Sequence, residues 1–298
     1  MSAPTLAEDP SRPIVDGDAR VPPPALSPAP AAADARPPVR LDRDGHVARL
    51  TIDRPDALNA MDSHAHLALS RALDAIEADP DCWIVVLTGA GERAFSAGRD
   101  LKEVAREPLM DEAERAALAA RWAGLRRLTD RHDFFRPVIA RVNGMALGGG
   151  FELALACDVI VAAEHASFAL PEPRRGLVAM AGGMHRLPRQ LPLKLAMGML
   201  LTGRPLAARE ALAHGLVNEV VPAADLDVAV GRWVADMLAC APLSLQATKQ
   251  CAMAGLGRPL AEAMAASYPL EARRKRSADS IEGPRAFAER RSPRWTGS

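Results

Sequence analysis

The chain has 298 residues, 49% of them hydrophobic, which suffices for a sizeable core in one large domain or two. Lysine plus arginine and aspartate plus glutamate balance at 37 each, so no global field favours nucleic acid or an anionic membrane. No apolar run approaches the ~18 residues a transmembrane helix needs. The four cysteines (Cys82, Cys157, Cys240, Cys251) lack CxxC spacing, which excludes a disulfide frame or zinc site and reads as reduced, buried thiols of a cytoplasmic protein.

The first 38 residues hold ten of the 25 prolines and nine alanines, with few larger aliphatic residues. Such a segment cannot bury enough apolar surface to offset its ordering entropy, so a disordered tail is expected over 1–38. It lacks the basic start and apolar stretch of a secretory signal, and its Glu8, Asp9, Asp16 and Asp18 argue against a transit peptide. From 39 onward the pattern is that of a folded chain. His46–Ile52 alternates, with Ala48, Leu50 and Ile52 on one face, and predicts a strand. Asp62 or Ser63 can cap a helix whose Leu69, Leu73 and Ile76 recur at helical spacing. Trp83–Thr88 is a continuous apolar run, as a strand buried on both faces should be. A helix over about 111–129 and a strand at Val138–Val142 follow.

Gly148-Gly149-Gly150 then leads into Phe151-Glu152-Leu153-Ala154-Leu155-Ala156-Cys157, a good helix former. A strand, a glycine corner and a helix N-terminus in succession leave backbone N–H groups unpaired, with the positive end of the helix dipole behind them. Such a device holds a developing oxyanion without a charged side chain. Glu152 and Glu172, twenty residues apart, add two carboxylates for acid–base work on a carbonyl compound. Each also has a plain structural reading, Glu152 as the N3 residue of a capped helix and Glu172 as a solvated turn residue. A buried strand is expected at Asp158–Ala162. Repeated strand–helix alternation argues for an α/β core, 39–222, with mostly parallel pairing. Beyond about Pro188 the chain turns helical, with segments near 193–201, 207–214, 225–240, 242–255 and 259–277, a short strand at Leu216–Val221, and Gly215 ending one helix at C′. Residues 223–298 are expected to form a helical C-terminal region serving oligomerisation.

Four stretches in order carry a family resemblance: Arg54-Pro55-Asp56-Ala57-Leu58-Asn59-Ala60, Ala94-Phe95-Ser96-Ala97-Gly98-Arg99-Asp100-Leu101, Asn143–Glu152, and Ser167-Phe168-Ala169-Leu170-Pro171-Glu172. Together they resemble the crotonase (enoyl-CoA hydratase/isomerase) superfamily. The resemblance implies a ββα-spiral core and a homotrimer or hexamer. It also implies an acyl-CoA substrate and no cofactor beyond the coenzyme A of that substrate. The backbone N–H groups of Arg99 and Gly149 would polarise the thioester carbonyl, leaving the Arg99 side chain free to vary. Ala57, Leu58, Ala97, Gly98, Asp100 and Leu101 would line the coenzyme A site, and Arg54 would meet its phosphates. Glu152 would activate water, and Glu172 would move a proton at Cα.

One stretch departs from the pattern. Where hydratases usually read Pro-Gly-Ala-Gly-Gly-Thr-Gln-Arg-Leu, this chain reads Ala179-Met180-Ala181-Gly182-Gly183-Met184-His185-Arg186-Leu187, so Met180 should reshape the acyl pocket. Other patches, including Ile281–Glu289, resemble the carnitinyl-CoA dehydratase branch, and isomerase activity is a further alternative on the same scaffold. His64 and His66 are two apart, a poor metal pair on a helix, so no metal is expected. Neither a P-loop nor a GxGxxG turn is present, so ATP and NAD are not implied. The basic run Arg273-Arg274-Lys275-Arg276 reads as a solvated helix face, as a contact to coenzyme A phosphates from a neighbouring subunit, or as an RNA-binding helix, the last opposed by the zero net charge.

Overall fold

The computed structural model describes residues 36–298, which group as one compact unit. In chain order the elements are β1 (Val39–Asp44), β2 (Val47–Ile52), α1 (Ser63–Ala78), β3 (Ile84–Gly89), β4 (Ala94–Ser96), α2 (Leu101–Arg106) and α3 (Glu112–Trp122). Then come β5 (Val138–Val142), β6 (Met145–Leu147), α4 (Gly149–Leu155), β7 (Val159–Ala163), β8 (Ser167–Ala169), α5 (Gly183–Gln190) and α6 (Leu193–Thr202). The chain closes with β9 (Leu206–Ala207), α7 (Ala208–Ala213), β10 (Glu219–Val221), α8 (Leu226–Leu238), α9 (Pro242–Gly255), α10 (Leu260–Ala265), α11 (Pro269–Arg274) and α12 (Asp279–Ala288).

Two sheets organise these elements. The larger runs β1-β2-β3-β5-β7-β10 and is parallel except for the β1–β2 hairpin. The smaller runs β4-β6-β8-β9. Three times the chain passes from a strand of the large sheet to its neighbour in the small one, β3 to β4, β5 to β6 and β7 to β8, before a helix returns it. That repeat is the ββα spiral, a mixed α/β fold.

The apolar runs fold as strands because both faces of the large sheet are covered. Val85 and Leu87 of β3, Val138 and Ala140 of β5, and Ile160 and Ala162 of β7 point into the cluster between the sheets, together with Leu69, Leu73 and Ile76 of α1. Their alternates, Ile84, Val86, Ile139, Val159 and Val161, pack on the other face against Leu226, Ala229 and Val230 of α8. A strand buried on both sides leaves no polar alternation to read. Asp62 caps α1, its side chain accepting from Ala65 N at 2.8 Å.

Several expectations need correction. The expected tail falls almost wholly on residues 1–35, outside the described residues, and Pro38 already belongs to the fold, its carbonyl accepting from Asp53 N at 2.9 Å. The strand feeding the glycine corner is β6, not β5, because Asn143-Gly144 switches the chain between sheets. The helix expected over 111–129 stops at Trp122, just before Gly124 at φ +74°. The one expected over 259–277 is two short helices, α10 and α11, with Pro269 starting the second. The boundary expected at 222/223 marks no break in the core, since α8 supplies one face of it. Cys240 is exposed, not buried. Among the described residues no single helix is long and apolar enough to cross a membrane.

Candidate active site

The segment 94–100 is stapled to the turn at 55–61. Ala97 N donates to Leu58 O at 2.9 Å, Ser96 Oγ to Asn59 O at 2.8 Å, and Met61 N to Gly98 O at 2.7 Å, while Asp100 N donates back to Met61 O at 3.0 Å. Bonds to residues on either side of Arg99 turn the Arg99 N–H away from this ladder. Gly98, at φ +83°, makes the sharp turn that does so. Leu58 and Asn59 also lie at positive φ, +53° and +56°. Asparagine tolerates that region and leucine does not, so strain at Leu58 is part of what presents the two carbonyls.

Gly149 is the first helical residue of α4, where the backbone N–H has no partner within the helix. A Cβ built on Gly98 would sit 2.6 Å from the Gly149 nitrogen, and one built on Gly149 would sit 3.5 Å from the Arg99 nitrogen. The Arg99 and Gly149 amides are therefore neighbours.

Gly148, at φ +51°, turns β6 into α4 and leaves a bare face. A Cβ there would lie 2.8 Å from Glu172 Oε1, so the missing side chain is where that carboxyl sits. Glu152 is the fourth residue of α4, one beyond the capping position of its structural reading, and is 3% exposed. Its Oε1 accepts from Gly183 N at 2.7 Å. Burial, and next the charge of Glu172, raise its pKa to about 7 in spite of the Gly183 hydrogen bond and Arg127. Glu172 opens a short 3-10 turn after β8. Burial raises its pKa too, and its Oε2 is buried with no donor among the described residues. Two buried carboxyls, both pushed towards the protonated form, suit general acid–base chemistry.

Both glutamates and both amides open onto one cavity of about 950 Å³. Ala97, Gly98 and Leu101 line it as well, as does Met180, 69% exposed on the loop before α5. Arg54, Ala57, Leu58 and Asp100 do not. Arg54 is held by Asp62 at 2.9 Å and Asp100 at 3.1 Å and also donates to the Ala60 carbonyl, so its charge braces the 55–61 turn instead of facing a phosphate. Asp100 in addition caps α2, accepting from Lys102 N. The Arg99 side chain pairs with Glu107 and lies 5.7 Å from the Trp122 ring centroid.

Sequence reasoning missed His66, Trp122, Arg127 and Asp130, all on the cavity wall. Trp122 belongs to the α3 row 115, 118, 119, 122, whose helical spacing was the available signal. His66 carried no such signal, because its partners across the cavity are remote in sequence. The basic run 273–276 is partly neutralised on its own helix, Arg274 and Lys275 meeting Glu271 at 2.7 and 3.5 Å.

Residues 42–298 match the enoyl-CoA hydratase/isomerase family model. A carnitinyl-CoA dehydratase of Salmonella typhi is 41% identical over 87% of this chain and 98% of its own. Among solved structures, an enoyl-CoA hydratase of Mycobacterium tuberculosis is 38% identical, with a TM-score of 0.76 over 88% of this chain and all of that one. A carnitinyl-CoA hydratase of Mycobacterium avium is 41% identical, with a TM-score of 0.66 over 89% of this chain and all of that one.

Proposed function

The chain belongs to the enoyl-CoA hydratase/isomerase family, and we propose that it is a hydro-lyase adding water across the α,β double bond of an acyl-CoA thioester, or removing it in reverse. The observation that carries this reading is the convergence of two proton-avid glutamates and two adjacent backbone donors on one cavity. The thioester oxygen sits between the Arg99 and Gly149 amides, which hold its developing negative charge, each donor worth roughly 3–4 kcal/mol in the transition state. Glu152, ionised, takes a proton from water as its oxygen bonds to Cβ. Glu172, protonated, gives its proton to Cα, and its buried, donor-free oxygen favours that neutral form. No cofactor beyond the coenzyme A of the substrate enters the scheme. The acyl chain runs past Met180.

The test is a panel of 2-enoyl-CoA thioesters followed by loss of conjugated-thioester absorbance. Turnover of at least one member is expected, and inertness towards all would overturn the reading. A second reading, dehydration of carnitinyl-CoA, is favoured by the 41% identity to an enzyme of that name. Pure isomerase activity would need Glu172 alone.

We also propose that the enzyme acts as a homotrimer or hexamer in the cytoplasm. Met253, Leu256, Leu260 and Met264 of α9, α10 and the turn between them are all largely exposed, a run of apolar surface that self-association would cover. The four free cysteines suit a reducing compartment. Light scattering at micromolar concentration should give three or six times the chain mass; a monomer would contradict the assembly.

A further inference from the structure

Besides the two glutamates, six charged side chains line the cavity: Arg99, Arg115, Arg127, Arg175, Glu107 and Asp130. Both of those carboxylates are already engaged. Glu107 pairs with Arg99, and Asp130 takes a two-pronged contact from Arg127 at 2.7 and 3.1 Å. Arg115 and Arg175 have no carboxylate partner among the described residues. The charge of Arg175 does act on Glu172, so Arg115 is the wall guanidinium left in excess.

The remaining polar surface has the same bias. His66 is half-buried, and burial together with the positive charges of Arg127 and Arg99 drives its pKa down to about 4, so it lines the cavity as a neutral imidazole. Trp122 presents the large aromatic face of the wall, and that face is shared by the Arg99 guanidinium at 5.7 Å and the tilted His66 ring at 5.2 Å. A trimethylammonium group reaching α3 would find Glu107 and Asp130 already paired and an aromatic ring that already has its cation. An anion would meet unneutralised guanidinium.

We infer that the acyl group this enzyme accepts ends in a carboxylate, met by Arg115 on the same α3 face as Leu118 and Trp122. The inference rests on the hydro-lyase reading and narrows its substrate class. Leu118, Leu125 and Met180 give the same cavity an apolar lining. Coenzyme A brings anions of its own, its phosphates, and these are the other source of the same chemistry.

The experiment uses the full-length enzyme and three 2-enoyl-CoA thioesters differing only at Cγ: crotonyl-CoA, glutaconyl-CoA with a carboxylate there, and the counterpart with a trimethylammonium. Glutaconyl-CoA should have a kcat/KM about tenfold or more above crotonyl-CoA, with the trimethylammonium thioester poorest. Arg115→Gln should cut the glutaconyl-to-crotonyl ratio about fivefold, the scale of a partly exposed ion pair. An equal loss on all three thioesters would assign Arg115 to coenzyme A phosphates, and a preference for the trimethylammonium thioester would reverse the charge argument; either overturns the inference. Calorimetric binding of the saturated pair glutaryl-CoA and butyryl-CoA reads the preference without turnover. Tighter glutaryl-CoA binding by an enzyme that hydrates nothing would uphold the charge argument and sink the hydro-lyase reading, and equal binding of the two would sink the charge argument itself.

Discussion

Glu152 is a buried acid that the fold holds above its ordinary range, first by desolvation and then by the charge of Glu172. The folded protein therefore binds a proton that the unfolded chain, with a Glu pKa near ~4.3, releases. Stability from this group is complete below about pH 4.3 and is lost as pH rises towards about 7. Glu152→Gln, whose amide oxygen can still accept from Gly183 N, should leave stability near pH 4–5 little changed and raise it by roughly 3 kcal/mol at pH 8. Urea melts of both proteins at the two pH values check this; a variant no more stable at pH 8 would mean the carboxylate is not desolvated. Met180→Gly should reorder acyl preferences by about 10–200-fold in kcat/KM, because Met180 lines the cavity. An unchanged ranking would mean its side chain does not shape the acyl path. The two glutamates could be picked out beside the glycine corner. Their pairing and roles come from the four motifs of the family resemblance, since each alone reads equally as a capped-helix or turn residue. The setting of Arg54 could not be read: its partners Asp62 and Asp100 lie 8 and 46 residues away, and only the fold brings them together to occupy its charge.

The short strand β4 leads into the turn that carries the Arg99 amide, and two buried asparagines hold the strand. Asn143 Nδ2 donates to Gly91 O at 2.7 Å and Ala94 O at 3.0 Å, and its Oδ1 accepts from Gly89 N at 3.2 Å. Asn59 Nδ2 donates to the same Ala94 carbonyl at 2.7 Å. Asn143 thus fastens β3, the start of β4 and the switch between sheets at one point. Asn143→Ala should cost about 2–4 kcal/mol, for several lost hydrogen bonds and buried groups left unpaired. It should also lower kcat more than it raises KM, because the amide it steadies acts in the transition state. Chemical denaturation and steady-state kinetics measure both; a drop in stability with kcat unchanged would mean that Asn143 braces the sheets but not the oxyanion site. The six-residue strand β3 and the five-residue strand β7 could be read as continuous apolar runs, and the five-residue β5 as one broken only by Arg141. The second sheet could not, because β4, β6 and β8 have three residues each and β9 has two, too few to show a period.

At the scale of the molecule, α8 closes the large sheet, so the helical C-terminal region is partly core and partly surface. Its apolar sequence alone could not divide the two roles: Leu226 is buried, whereas Leu256 and Leu260 are exposed. Ala229→Asp, placing an unpaired charge against Ile84 and Val161, should destabilise the fold by more than about 3 kcal/mol. Leu260→Asp should leave the fold's cooperativity intact while weakening self-association, as read by sedimentation velocity. A variant with Leu260→Asp that keeps the oligomer would move the interface elsewhere.

The most direct test of the account replaces each glutamate by glutamine and follows hydration of whichever enoyl-CoA the wild type turns over best. Glu152→Gln and Glu172→Gln should each lower kcat by about 10²–10⁴-fold while still binding the thioester, the usual worth of a positioned acid or base. Near-wild-type turnover in either variant would contradict the two-carboxylate mechanism.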